Sequence, residues 1–249
     1  MNKRVLITGA SKGIGAATVI EFAKAGYDVI INYKSDELAV KAVAKEAQQH
    51  NVKAHIVQAD VFTEQGVKKL YEAVTKDNLS LDVLVNNAGY ADEPEFSLLT
   101  YQDIVDSLSA NFISAVLCTQ AFAPSINKGG AILFNSSIYG SNFGGNPGLA
   151  IYSAGKAAIV NFAQTMAEML APDIRCNVVA PGVTKTPAWD GASPEYIKMR
   201  LDQSLQKDWV RAEDIGSAFV FLAENPHVNA TTIAVDAGWL KKFPETKST

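Results

Sequence analysis

At 249 residues, with 48% hydrophobic and 19% charged side chains, the chain can bury a sizeable core and has the composition of an ordinary globular protein rather than a disordered or fibrous one. A formal net charge of -4 argues against a nucleic-acid partner, because neutralising phosphates takes clustered Lys and Arg. Neither a repeat nor a low-complexity tract stands out, and no run of about 20 apolar residues is evident, so a membrane span is not expected.

In chain order, short apolar runs at 5–8, 29–32, 54–58 and 83–86 read as strands, each preceding a helical pattern, at 13–25, 36–49, 63–76 and 101–122 respectively. Further strands are expected at 131–135, 174–179 and 232–235, with helices at 151–170 and 213–223. Repeated strand–helix units with apolar strands imply an α/β protein: one domain over residues 1–249, a mostly parallel sheet covered by helices on both faces. One segment breaks the alternation. From Pro181 to Val210 the chain carries Pro187, Gly191 and Pro194 ahead of a helical stretch near 195–205. It reads as a substrate lid or as a solvated connector, and Trp189, Tyr196, Met199 and Leu201 favour the lid.

Val5-Leu6-Ile7 is too short for a secretory signal, Cys118 and Cys176 lie far apart in apolar contexts, and His50, His55 and His227 form no ligand cluster with them. Free buried thiols, no metal and a reducing, cytoplasmic setting are therefore the expectation.

Directly after the first strand comes Thr8-Gly9-Ala10-Ser11-Lys12-Gly13-Ile14-Gly15, with a helix opening at its end. Glycines there permit a tight turn and close backbone approach, and the free N–H groups of a helix start attract a pyrophosphate. Placement between the first strand and first helix of such a series points to a dinucleotide. The second strand ends in Asn32-Tyr33-Lys34-Ser35, without the carboxylate that would bind a ribose 2′-hydroxyl. Lys34 and Lys12 could reach a 2′-phosphate instead, with Asn32 and Ser35 as neutral donors, which favours NADP over NAD. Lys34 could equally be an exposed loop lysine, and Asp36 stands nearby.

Tyr152 and Lys156 are four residues apart and share one helical face. An ammonium beside a phenol is expected to lower the phenol's pKa and make Tyr152 a proton donor or acceptor near neutral pH.

With the Gly-rich turn, Asn86-Asn87-Ala88-Gly89, Tyr152-x-x-x-Lys156 and Pro181-Gly182 in this order, the chain resembles the short-chain dehydrogenase/reductases over nearly its whole length. The resemblance implies a Rossmann-type fold with a seven-stranded parallel sheet, a homotetramer or homodimer, and NADP(H)-dependent interconversion of a ketone and a secondary alcohol. It makes Tyr152 the general acid or base and gives Lys156 the nicotinamide ribose. Ser137 would hold the substrate oxygen, and Asn111 a water in the proton relay. Locally, Ser137 could instead be a turn residue and Asn111 a helix residue satisfied by its own backbone. Asp60 and Val61 match adenine contacts, although Asp60 could merely cap the next helix. Asn87, Ala88 and Gly89 match the adenosine side, and Pro181, Gly182, Thr184 and Thr186 the nicotinamide and diphosphate.

The layout is most similar to 3-oxoacyl-[acyl-carrier-protein] reductases, for which Lys128, Lys185 and Arg175 are the candidate carrier-docking cations. A sugar or polyol dehydrogenase and a non-catalytic NADP(H)-binding sensor are the alternatives. The chain departs from the family in its Gly-rich loop from Gly140 through Ser141, Asn142 and Phe143 to Pro147, in Asn229-Ala230-Thr231 where Thr-Gly is frequent, and in Ala237 where glycine is frequent.

Overall fold

Strands written as unbroken Val, Ile and Leu must be buried on both faces, and the computed structural model, which describes residues 2–76, 80–140 and 144–239, shows this arrangement. Its sheet runs in the order β3 (Ala54–Gln58), β2 (Asp28–Tyr33), β1 (Arg4–Ile7), β4 (Leu81–Asn86), β5 (Ile126–Asn135), β6 (Ile174–Pro181), β9 (Thr232–Val235), and every pairing is parallel. The expected seven-stranded Rossmann-type sheet is thus present. Between β6 and β9 in sequence, a separate two-residue ladder joins β7 (Thr184–Lys185) to β8 (Val210–Arg211), a pairing that the sequence pattern does not announce.

Alternation along each strand feeds two cores. Val5, Ile7, Val29 and Ile31 pack under α1 (Gly13–Lys24), α2 (Glu37–Gln48) and α8 (Ala212–Glu224), which contribute Phe22, Val40 and Phe219. Leu6, Ile30, Leu84 and Ile132 face the other way, toward Leu70 of α3 (Glu64–Thr75), Phe122 of α5 (Ser114–Phe122) and Ile159 of α6 (Ala150–Leu170). β1 lies between β2 and β4, so the chain leaves it once in each direction. The carboxyl ends of β1 and β4 therefore open a crevice at the point where strand order reverses.

Residues 101–122 are not one regular helix. α4 (Tyr101–Leu108) passes into a single wide i→i+5 turn at Ser109–Ile113 before α5 begins. Contrary to the sequence expectation, the 25-residue run Tyr101–Ser125 is long and apolar enough by composition to cross a membrane. In the fold it flanks the sheet, with Ala115, Cys118 and Phe122 in the core.

The segment after β6 builds a third, small cluster in which Ile138, Val183 and Trp239 are buried against Tyr139, Trp189, Leu201 and Trp209. Its helix, α7 (Pro194–Leu201), is shorter than expected, begins at a Ser193 cap and stops at Leu201. At the two departures noted in the sequence, Ala230 and Ala237 hold φ of 53° and 55°. These alanines adopt the left-handed backbone that a glycine takes without strain.

Candidate active site

Gly9 has φ +62°, and a Cβ on it would lie 2.8 Å from the Cα of Ala88, so the turn after β1 and the loop after β4 can meet only through glycine. Asn87 clasps the two. Its Nδ2 donates to the carbonyls of Thr8 (2.9 Å) and Gly9 (3.1 Å), while its Oδ1 accepts from Asn135 Nδ2 (2.9 Å). Thr8 Oγ1 accepts in turn from the N–H groups of Asn87 (3.0 Å) and Ala88 (3.1 Å). Asn87 therefore shapes the phosphate turn from beneath.

Asn32 does the same from β2, and this corrects its expected part as a donor to a 2′-phosphate. Its Oδ1 accepts from Gly9 N (3.2 Å), and its Nδ2 points inward to the carbonyls of Ala59 (3.0 Å) and Val57 (3.4 Å). Tyr33 is buried in the core and does not border the cavity. Lys34, Ser35 and Lys12 remain exposed at the ribose end. Lys34 Nζ lies 2.9 Å from Asp60 Oδ2 and 5.2 Å from the Phe62 ring centroid. Asp60 does not cap α3, because Thr63 fills that position and accepts from Gly66 N.

The other end of the crevice gathers Asn111, Ser137, Tyr152 and Lys156. Tyr152 and Ser137 border the same cavity, and Lys156 Nζ stands 5.6 Å from the Tyr152 ring centroid while donating to Asn135 O at 2.9 Å. The wide turn carries Asn111, whose Nδ2 donates to Tyr90 O (2.9 Å) and Ser107 O (3.0 Å). Its buried Oδ1 has no partner among the described residues. A Cβ on Gly89 would sit 2.7 Å from that oxygen and 3.4 Å from Lys156 Nζ, so the glycine keeps the space between amide and ammonium open.

The expected sign of the Tyr152 shift is overturned. Burial raises the phenol's pKa, with the Ser137 hydroxyl opposing it, and burial also pushes Lys156 down to about 8. The reason is placement: the Lys156 ammonium is buried and directed at the Asn135 carbonyl, and the Tyr152 side chain is half-buried beside it.

Sequence reasoning missed Glu93. Helix α6 has Leu149 at its N-cap, which offers no side-chain acceptor. From the loop after β4, the Glu93 carboxylate accepts the N–H groups of Ile151 (3.1 Å) and Tyr152, and Ser107 Oγ donates to it at 3.1 Å. A carboxylate on the free N–H groups of a helix start is favourable, and this one fixes the turn bearing Tyr152.

Asn111, Ser137, Tyr152 and Lys156 border one cavity of about 910 Å³, reached by every sequence-predicted site residue except Tyr33. Tyr139, Trp189, Tyr196 and Arg200 add a wall from the third cluster and the segment after β6. In the Gly-rich loop, Ser141, Asn142 and Phe143 lie outside the described residues, while Asn146, Gly148 and Leu149 border the cavity. Two of the three carrier-docking candidates are elsewhere. Arg175 is buried, giving its guanidinium to the carbonyls of Leu222, Ala223 and Val228 at the end of α8. Lys128 pairs with Asp173 at the amino ends of β5 and β6, away from the crevice. Cys118 and Cys176 are buried free thiols pushed up to about 12, as inert as expected.

A glycine turn at the switch point of a parallel sheet, facing a tyrosine, lysine and serine around one cavity, defines a dinucleotide-dependent oxidoreductase. The family model for short chain dehydrogenase matches residues 3–196, and the chain belongs to that family. It is 33% identical over 243 residues to the 3-oxoacyl-[acyl-carrier-protein] reductase of Staphylococcus epidermidis, covering 96% of this chain and 99% of the other. Among solved structures it resembles a Burkholderia cenocepacia short chain dehydrogenase in complex with NADP (31% identity, TM-score 0.88, 95% and 97% covered). It also resembles the L-sorbose reductase of Gluconobacter frateurii complexed with NADPH and L-sorbose (28% identity, TM-score 0.89, 97% and 98% covered).

Proposed function

We propose that this protein is a cytoplasmic reductase that interconverts a ketone and a secondary alcohol by hydride transfer, with NADP(H) as cofactor. The residues fit that cofactor. The turn at Gly9 is shaped for close backbone approach, and the ribose end presents Lys12, Lys34 and Ser35 with no carboxylate among residues 32–35. When bound, NADP(H) supplies or accepts the hydride.

Tyr152 carries the proton. Burial holds its phenol protonated at neutral pH, which suits donation to a carbonyl oxygen during reduction, and the same oxygen takes the proton in alcohol oxidation. Ser137, which borders the cavity beside Tyr152, positions the substrate oxygen. Lys156 addresses the cofactor ribose, and the free Oδ1 of Asn111 receives a water that links the site to bulk. The convergence of Tyr152, Ser137 and Lys156 on one crevice beside the Gly9 turn carries this reading. The test is Tyr152→Phe: kcat for NADPH-dependent ketone reduction should fall about a thousandfold with the Kd for NADPH nearly unchanged. Undiminished turnover would sink it.

The name of the staphylococcal relative supports a 3-oxoacyl thioester as substrate, and that of the sorbose reductase supports a sugar. With Arg175 and Lys128 away from the entrance, Lys185 alone remains of the docking cations, which weighs against a carrier protein. NADPH oxidation against an acetoacetyl thioester, free ketones and, in reverse, sugars separates these readings. Binding without any turnover would favour the sensor. Residues 181–210 act as the lid over the substrate, and the chain assembles as a homotetramer, which light scattering of the purified protein would test.

A further inference from the structure

Two arginines are buried among the described residues, and they are handled in opposite ways. Arg175, 8% exposed, makes three hydrogen bonds to backbone carbonyls at the end of α8. The side chain of Arg200, a residue 9% exposed in the last turn of α7, makes no ion pair or hydrogen bond among the described residues, and its Nε is buried without a partner. Its guanidinium carbon lies 5.6 Å from the Tyr139 ring centroid and 5.2 Å from that of Trp239, and these two rings meet edge to face at 6.1 Å. Stacking on aromatic faces offsets part of the cost of burial but gives the guanidinium N–H donors no acceptor. The remaining side of this cation borders the cavity that holds Tyr152.

We propose that Arg200 binds a carboxylate on the substrate, so that the ketone reduced here is a keto acid held at its charged end by the lid. The inference rests on the ketone reading for the reacting end of the molecule. A planar fork of donors matches a carboxylate in bidentate fashion, and a low-dielectric wall strengthens that pairing. Of the four Lys and Arg side chains on the cavity, Lys12 and Lys34 stand at the ribose end and Lys156 beside Tyr152, which leaves Arg200 as the single cation on the lid side. One cation suits a monoanion. Tyr139 links the two ends of the substrate, because its ring carries Arg200 and its N–H donates to Ser137 Oγ at 3.2 Å. Both ends of the ligand would therefore be read by neighbouring residues of one turn. An arginine packed on rings also secures α7, so Arg200 could be wholly structural, and the experiment is built to separate the two.

NADPH oxidation is followed with matched pairs of oxo acids and their methyl esters, such as 4-oxopentanoate and 4-acetylbenzoate, in wild type, Arg200→Lys and Arg200→Met. Wild type should prefer at least one acid over its ester by tenfold or more in kcat/KM. Arg200→Lys should keep part of that ratio, and Arg200→Met should bring it near one. A ratio near one in wild type, or a loss in Arg200→Met that falls equally on acid and ester, overturns the proposal. Quenching of Trp189 and Trp239 fluorescence by 4-acetylbenzoate against its methyl ester, on NADPH-loaded protein, reads the same preference without turnover. Equal affinity for the two overturns the proposal as well. Preferential, Arg200-dependent binding of the acid in a protein that reduces nothing would instead leave the anion site standing and sink the ketone reading.

Discussion

The turn after β1 and the segment after β6 border the same cavity, and they are built on opposite plans. Around the turn, amides close on one another and on backbone: Asn87 holds Thr8 and Gly9, Asn135 holds Asn87, and Asn32 holds Gly9 and Ala59. In the segment after β6, a buried cation leans on rings with no side-chain hydrogen bond among the described residues, and Ala237 beside it sits in a backbone region that suits glycine. Cofactor geometry is thus fixed in advance by groups that never need to touch the cofactor. The substrate side keeps polar capacity in reserve. A loop common to many chemistries rewards rigidity, and a wall that must distinguish one substrate from another rewards unsatisfied groups.

That contrast can be broken most severely at Asn87. Asn87→Ala removes the clasp and strands the buried Asn135 amide, so about 3 kcal/mol of stability and much of the NADPH affinity should be lost. Urea unfolding and fluorescence titration would measure both, and a variant stable to within about 0.5 kcal/mol would show the clasp to be ornamental. A smaller effect is expected at the ribose end. Lys34 is bound to Asp60 only at the surface, so Lys34→Ala should leave stability alone yet raise the KM for NADPH about tenfold, with the KM for NADH nearly constant. Equal changes for the two cofactors would mean that Lys34 does not sense the 2′-phosphate. The smallest effect sharpens the comparison from its other side: Ala237→Gly should stabilise the protein by about 0.5 to 1 kcal/mol, seen as a rise in Tm, since glycine relieves the backbone at φ 55°. A fall in Tm would mean that the methyl group packs better than the backbone strains.

The sheet was legible because Val5, Val29 and Val83 stand in short apolar runs between helical patterns, and a fully buried parallel strand has no other way to be written. The Tyr152 and Lys156 pair was legible from its spacing along one helix, whereas Ser137 was legible only through the resemblance to the family. What escaped is what the chain joins across distance. Glu93 reaches residues 58 and 59 positions away, and Lys34 meets Asp60 from the neighbouring strand end. Spacing alone showed the lysine beside Tyr152 but not the burial that reverses the sign of its shift. Arg200 drew no attention in the sequence, and only the fold puts Tyr139 and Trp239 beneath it. Conversely, Ala230 and Ala237 stood out as departures, and both proved to hold the glycine backbone with an alanine side chain.

The wide turn at Ser109–Ile113 also resets the orientation of α5. One additional residue in a turn advances the side chains beyond it by about 100° around the helix axis. α4 and α5 therefore share one axis but present their faces in different phase, so the stretch can offer Asn111 to the crevice and still place Cys118 and Phe122 against the sheet. Deleting a single residue from this turn would restore an unbroken helix at the expense of one of those two orientations. The irregularity lets a single rod serve as both a wall of the site and a buttress of the core.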